Sequence, residues 1–258
     1  MRLYIIVTII ILTYNHEKYI KQALEGCLNQ QTDFIYKIII HDDASTDKTA
    51  EIIKEYQAKY PDIIKPIFQT ENQYSKGNPI SQKYIYPQIE SKYVALCEGD
   101  DYWIDSSKLQ KQVDFLEANP DYSICFHPVK IIYEDKPNKI NIFPDKKTLK
   151  EEITFEKLLK TNFIQTNSVM YRWRFDNENF KEIIPNNILP GDWYLHLCHA
   201  KIGKIGVINK IMSVYRRHNR GIWTDNTITK TNLHKKYGIQ ELKFYEAVYK
   251  NFTNCSEE

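Results

Sequence analysis

Glu98, Asp100 and Asp101 place three carboxylates within four residues, with Gly99 among them and Tyr102 and Trp103 behind. Like charges this close destabilise one another unless a cation lies between them. Hard oxygen ligands on a loop suit Mg²⁺ or Mn²⁺, which bind through one or two carboxylates and leave positions open for substrate phosphates. The same residues would also make a polar turn, with Gly99 supplying the bend. Two more polar clusters, Thr13-Tyr14-Asn15-His16 and Asp42-Asp43-Ala44-Ser45-Thr46-Asp47, each follow an apolar run. Further on, Leu189-Pro190-Gly191-Asp192-Trp193-Tyr194 sets one carboxylate among aromatics at the start of a predicted helix. Asp192 reads there as a helix N-cap and also has the setting of a general base. The stretch Met212 to Trp223 carries Arg216, Arg217 and His218. These suit a diphosphate, as charge neutralisers or a metal ligand, and would otherwise form a solvated basic loop.

The elements that position these residues follow from hydrophobic periodicity. Strands are predicted over Leu3 to Leu12, Phe34 to His41, Ile63 to Gln69 and Tyr93 to Cys97. Between them lie a helix from about Glu17 to Leu28, a second with Ala50, Ile53 and Tyr56 on one face, and a short one ending before Pro87. This β-α-β-α-β-α-β order predicts a Rossmann-like, mostly parallel sheet with helices on both faces. Such sheets bind ligands beyond the carboxyl ends of their strands, where Thr13 to Asn15, Asp42-Asp43 and Glu98 to Asp101 all fall. One shared site is therefore expected. Neither a G-x-G-x-x-G nor a G-x-x-x-x-G-K-[ST] motif is present, which disfavours a dinucleotide or Walker-type site. What is left is carboxylate recognition of a base or ribose and a metal on a diphosphate, the needs of a nucleoside diphosphate.

After the acidic loop the parallel pattern weakens. A helix is predicted over Lys108 to Ala118, and a strand over Ser123 to Tyr133. A charged, mobile segment then covers residues 134–152, and Thr154 caps a short helix. Strands follow at Gln165 to Tyr171 and Ile205 to Asn209. From about Thr231 an amphipathic helix carries Leu233, Tyr237, Leu242, Tyr245 and Val248. It would pack on the domain or on a partner, or lie on a membrane through its lysines.

Net charge is only +2, which argues against a nucleic-acid binder. The charge is uneven: residues 1–200 hold 24 Lys and Arg against 28 Asp and Glu, whereas residues 201–258 hold 11 against 5. The basic end suits phosphates or an anionic membrane surface. The five cysteines show no C-x-x-C or zinc spacing and read as small core residues in a reducing, cytoplasmic compartment. The apolar run Tyr4 to Leu12 is too short to cross a bilayer and reads as a buried strand.

Taken in order, Thr13-Tyr14-Asn15, Asp42-Asp43-Ala44-Ser45-Thr46-Asp47 and Glu98-Gly99-Asp100-Asp101 resemble the bacterial family 2 inverting glycosyltransferases with the GT-A fold. The similarity runs from the first strand to about Trp223. It implies a GT-A domain over 1–223, with a nucleotide-sugar half (1–105) and an acceptor half (106–223), and a C-terminal helical extension over 224–258. By the resemblance Thr13, Tyr14, Asn15, Asp42 and Asp43 hold base and ribose. Glu98-x-Asp100 aligns with the family's D-x-D element, which makes Asp100 the stronger ligand of Mn²⁺ or Mg²⁺, joined by Glu98 or Asp101. Glu98 departs from the commoner aspartate and would act through a water or toward the ribose. His218 matches the histidine of a Tyr-Arg-x-His stretch, so it joins the metal, while Arg216 and Arg217 meet the diphosphate. Asp192 becomes the catalytic base. The implied function is metal-dependent transfer from a UDP-linked or other nucleoside diphosphate-sugar to a saccharide or lipid-linked saccharide, as in surface polysaccharide synthesis. The implied location is cytoplasmic, with peripheral membrane contact through the basic C-terminal segment. Two alternatives stand: a sugar-nucleotide nucleotidyltransferase, whose glycine-rich signature after strand one is missing here, and a non-catalytic nucleotide-sugar-binding relative.

Overall fold

The computed structural model describes residues 4–175, 184–219 and 230–252. Its central strand, β1 (Ile5–Thr13), is apolar on both faces, so it has to be covered twice. Side-chain alternation divides the cover. Val7, Ile9 and Ile11 pack with α1 (Ile20–Leu28), α2 (Thr49–Lys59) and α3 (Lys108–Ala118) through Leu24, Ile53 and Leu109. Ile10 faces the opposite layer, where α5 (Phe155–Lys160), α6 (Gly191–Lys201) and α7 (Lys230–Phe252) contribute Leu158, Leu197 and Phe244. Fully burying each such side chain contributes about 1.5–3 kcal/mol.

The large sheet runs β10 (Lys204–Val207), β6 (Tyr122–Phe126), β9 (Met170–Arg172), β4 (Tyr93–Glu98), β1, β2 (Ile35–Asp42) and β3 (Ile64–Phe68). Among the described residues β9 is its one antiparallel member. A smaller sheet runs β5 (Tyr102–Trp103), β11 (Ser213–Arg217), β7 (Val129–Tyr133) and β8 (Ile140–Phe143). It leans over the end of the large sheet that carries the acidic loop, since β5 begins right after Asp101.

Several predicted elements are changed by tertiary context. The run Ser123 to Tyr133 is two strands in different sheets, because His127-Pro128 breaks it and a proline gives no backbone donor to a ladder. The stretch Gln165 to Tyr171 is extended only at its end, and Thr166–Ser168 forms a tight turn. The charged residues 134–152 hold β8 and a short helix, α4 (Lys146–Lys150), capped by Asp145. Residues Ser81–Gln88 coil as π and 3₁₀ turns that run through Pro87. The four described cysteines (27, 97, 125 and 198) are buried and unpaired, as expected of core residues; Cys255 lies outside the described residues. So does the expected domain boundary at 223/224, together with Arg220, Gly221, Ile222 and Trp223. No helix among the described residues is long and apolar enough to cross a membrane.

Candidate active site

Strand register brings the three polar clusters to one edge. Thr13 pairs with Asp42, and Leu12 pairs with Glu98. Backbone bonds close the junction: Asp43 N donates to Thr13 O at 3.0 Å, and Gly99 N donates to Leu12 O at 2.9 Å. Gly99 is required by this approach, because a Cβ there would stand 2.7 Å from Thr13 Oγ1 and 2.8 Å from His16 Nδ1. Those two atoms are themselves buried without a hydrogen-bond partner. Unmet polar atoms beside a carboxylate loop are costly, and fit a site that takes up a polar ligand.

The loops after β1 and β2 are locked together. Asn15 and Ala44 both take left-handed backbone, with φ of 55° and 60°. Asn15 Oδ1 accepts from Thr46 N at 2.8 Å, and Asn15 N donates to Ser45 Oγ at 2.8 Å. Ser45 Oγ in turn donates to Asp42 Oδ1 at 2.5 Å. Such strain persists only where the surroundings over-determine it. Asp43 is buried and receives Gln73 N at 2.7 Å and Tyr74 N at 2.9 Å, so it shapes the loop after β3. Tyr14 stands at the mouth, 44% exposed.

The acidic loop divides into groups that face outward and inward. Asp100 Oδ2 lies 3.0 Å from His218 Nε2 and 3.8 Å from His16 Nε2. Burial works to raise the Asp100 carboxyl, but the two histidines outweigh it and hold it below its ordinary value. Burial, with Asp100 and Asp192 nearby, pushes Glu98 up to about 8. Asp101, expected as a metal ligand, has both oxygens engaged in the interior. Its Oδ2 accepts from Asn167 Nδ2 at 2.9 Å and its Oδ1 from Arg216 N at 2.9 Å. Arg216 also differs from its expected role: its guanidinium stacks between Tyr19 and Tyr102 (4.6 and 5.1 Å) and donates to Gln22 Oε1. Alternation along β11 sends Arg217 to the other face, 5.8 Å from the Tyr133 ring.

A divalent ion can be tested against these positions. Two ligands about 2.1 Å from one octahedral ion, at right angles, stand about 3.0 Å apart. Asp100 and His218 have that separation. Among the described residues no group of three His, Cys, Asp or Glu side chains is arranged to hold an ion. That 3.0 Å contact is also a hydrogen bond between imidazole and carboxylate, so an ion held here would have to replace it and take its remaining ligands from phosphate oxygens and water.

Asp192 sits in the first turn of α6 and is not its N-cap, a place held by Pro190. Its Oδ1 accepts from Trp193 N at 2.8 Å and its Oδ2 from Thr166 Oγ1 at 2.7 Å, which fix the carboxylate from two sides. Sequence reasoning missed Thr166, Asn167 and His16. Asn167 is a buried hub: it donates to Asp101 and to Val214 O, and accepts from Ser213 Oγ at 2.9 Å. The available signal was the polar triplet Thr166-Asn167-Ser168 interrupting an otherwise strand-like run. A cleft of about 320 Å³ opens beside His218, lined by Lys18, Tyr19, Glu134 and Asp135. A larger depression of about 760 Å³ lies at the β10 edge, and none of the site residues lines it.

Comparison with known proteins adds to this geometry. The model of the family described as Glycosyl transferase family 2 matches residues 8–180. An uncharacterized protein of Mycobacterium tuberculosis is 45% identical over 216 residues, covering 84% of this chain and 60% of the relative. The chain thus spans about 60% of the length of that curated relative. TuaG of Bacillus subtilis, named for teichuronic acid biosynthesis, is 27% identical over 84% of this chain and 81% of its own. Among solved structures, Staphylococcus aureus TarS 1-349 with UDP-GlcNAc superposes with a TM-score of 0.64 at 18% identity, covering 96% of this chain and 73% of that one. The mannosyltransferase PcManGT of Pyrobaculum calidifontis, with GDP-Man and Mn²⁺, gives 0.61 at 15%, over 92% and 70%. These likenesses establish the GT-A fold.

Proposed function

This chain belongs to glycosyl transferase family 2, and from that footing we propose that it is an inverting, metal-dependent transferase of a sugar from a nucleoside diphosphate-sugar, UDP-linked in the first instance, to a saccharide or lipid-linked hydroxyl. The observation that carries the reading is the convergence, at one sheet edge, of Thr13, Asp42 and Glu98 with the Asp100–His218 pair. Thr13, Tyr14, Asn15, Asp42 and Asp43 form the base and ribose side. Asp42 and Asp43 act there with carboxylates already oriented by Ser45 and by the loop after β3.

Asp100 and His218 would hold Mn²⁺ or Mg²⁺, with Glu98 on the side facing Asp192. When bound, the ion supplies Lewis-acid charge against the diphosphate. Asp101 and Arg216 then position the loop and β11, a more internal duty than the one first expected of them. Asp192 takes the proton of the acceptor hydroxyl, from the face of the sugar opposite the leaving diphosphate. The TuaG likeness supports an acceptor in surface polysaccharide synthesis. The titles of the solved neighbours name UDP-GlcNAc and GDP-Man, which supports a hexose or N-acetylhexosamine donor.

The test is calorimetric titration of UDP with Mn²⁺ present and again with EDTA. Metal-dependent binding is expected; absence of binding by any nucleoside diphosphate would remove the reading. Asp192→Asn should then bind donor as the parent does and lose transfer by about 10²–10⁴-fold. Normal turnover by that variant would take the base away from Asp192.

A further inference from the structure

Helix α7 is amphipathic twice over. Its inner face is fastened to the domain: Phe244, Ala247 and Val248 lie in the core, and Asn251 Nδ2 donates to Tyr194 OH on α6 at 2.8 Å. Burial of this face accounts for the packing of the helix, yet its outer face is also apolar. Ile239, Leu242, Tyr245 and Tyr249 are 71%, 59%, 56% and 71% exposed. At about 100° per residue these positions fall on one side of the helix, opposite Phe244. Exposed Lys236, Lys243 and Lys250 run beside them as a second strip, while exposed Lys235 and Glu246 fall among the apolar positions, and Glu246 is the one exposed acid from Lys235 to Lys250.

We infer that this face of α7 docks on an anionic lipid surface, its apolar strip entering the interface and its lysines meeting the headgroup charge. Three features favour lipid over a protein partner. The pattern of large apolar and aromatic residues edged by lysine is that of interfacial helices. The charge is mainly of one sign, since the helix carries five lysines against Glu241 and Glu246 and only Glu246 of the two acids is exposed. The helix also presents this face as one rigid edge already ordered on the domain, which lowers the entropic cost of docking. Placement matters too, because Leu189 N donates to Gln240 O at 3.2 Å. A docked α7 would thus hold the loop before Asp192 close to the lipid surface. The inference stands on surface chemistry, and it goes beyond the transfer reading without requiring it.

Vesicle sedimentation of the whole chain tests this with no donor or metal present, so its outcome is separate from that of the nucleotide titration. The probes are vesicles of phosphatidylcholine alone, and vesicles with phosphatidylglycerol as a third of the lipid. Binding to the anionic vesicles is expected to exceed that to the neutral ones by about tenfold or more, and to fall with added salt. Ile239→Ser with Leu242→Ser, and separately Lys243→Glu with Lys250→Glu, should each lower anionic binding about tenfold while melting stays as in the parent, since all four positions are exposed. Equal binding of parent and variants, or none by the parent at low salt, would overturn the proposal. So would a concentration-dependent dimer that the apolar variant dissociates, which would give the face to a second copy.

Discussion

At the scale of single residues, neighbouring carboxylates of the acidic loop have different surroundings. Asp101 is spent inside the protein on Asn167 and the Arg216 backbone, and Asp100 one residue earlier is turned to His218 and His16. Successive residues in extended or turning backbone point different ways, so adjacent aspartates need not share a duty. Thr166 holds one oxygen of Asp192 at 2.7 Å, which under the proposed function makes it a positioning residue for the base. If Asp192 is the base proposed above, Thr166→Val should leave UDP affinity and donor KM unchanged and lower kcat about tenfold, because a misplaced base loses alignment while the proposed nucleotide site is untouched. Thr166→Ser should restore the rate. A fall in donor affinity with Thr166→Val, or no rescue by serine, would make the contact merely structural.

At the scale of elements, the acidic loop is held by its neighbours and not by its own sequence. Asn167, in the tight turn before β9, ties the loop to β11 and accepts nothing from solvent. Removing it leaves the buried Asp101 carboxylate and the Ser213 hydroxyl short of partners. Asn167→Ala should therefore cost about 2–4 kcal/mol in denaturant unfolding. A loss under 1 kcal/mol would mean that the hub is not where the loop is secured. The entry to α3 gives a pH-dependent counterpart. Burial would raise Asp105, but Lys210, Ser107 and Lys111 outweigh it and hold its carboxyl below the usual range. A depressed carboxylate adds stability above its unfolded value, about 3.9, and that contribution is lost as pH falls toward the folded value. Asp105→Asn should lower Tm by about 3 °C at pH 7, and the gap should narrow steadily as the pH falls below about 4. A gap that persists in acid would assign the effect to packing.

For the molecule as a whole, carboxyl groups concentrate at one sheet edge, where Glu98, Asp100, Asp101 and Asp192 crowd together. Burial and mutual repulsion raise Glu98 to about 8 and Asp101 well above its ordinary range. An ion that binds only the folded chain stabilises it by mass action. Mn²⁺ with UDP should thus raise Tm by several degrees, and Asp100→Asn should abolish most of that rise. An equal rise in the variant would place the ion elsewhere.

Much of the fold was legible from the chain because its signals are local. The β-branched runs ending at Thr13, Asp42 and Glu98, with helical stripes between, determined a parallel sheet and the edge at which its polar clusters gather. The polar clusters at those ends, and a carboxylate on the first turn of α6, were also readable as residue types in order. Where the reading failed, the deciding forces act between distant segments. His127-Pro128 sends one apparent strand into two sheets, and the turn at Thr166–Ser168 exists because Asp101, Ser213 and Asp192 need its side chains. Whether Arg216 meets a phosphate or stacks between Tyr19 and Tyr102 depends on β11 lying beside β5, which no spacing within the chain encodes. Sequence alone determined which side chains stand at the strand ends; long-range packing decided which partners each of them meets.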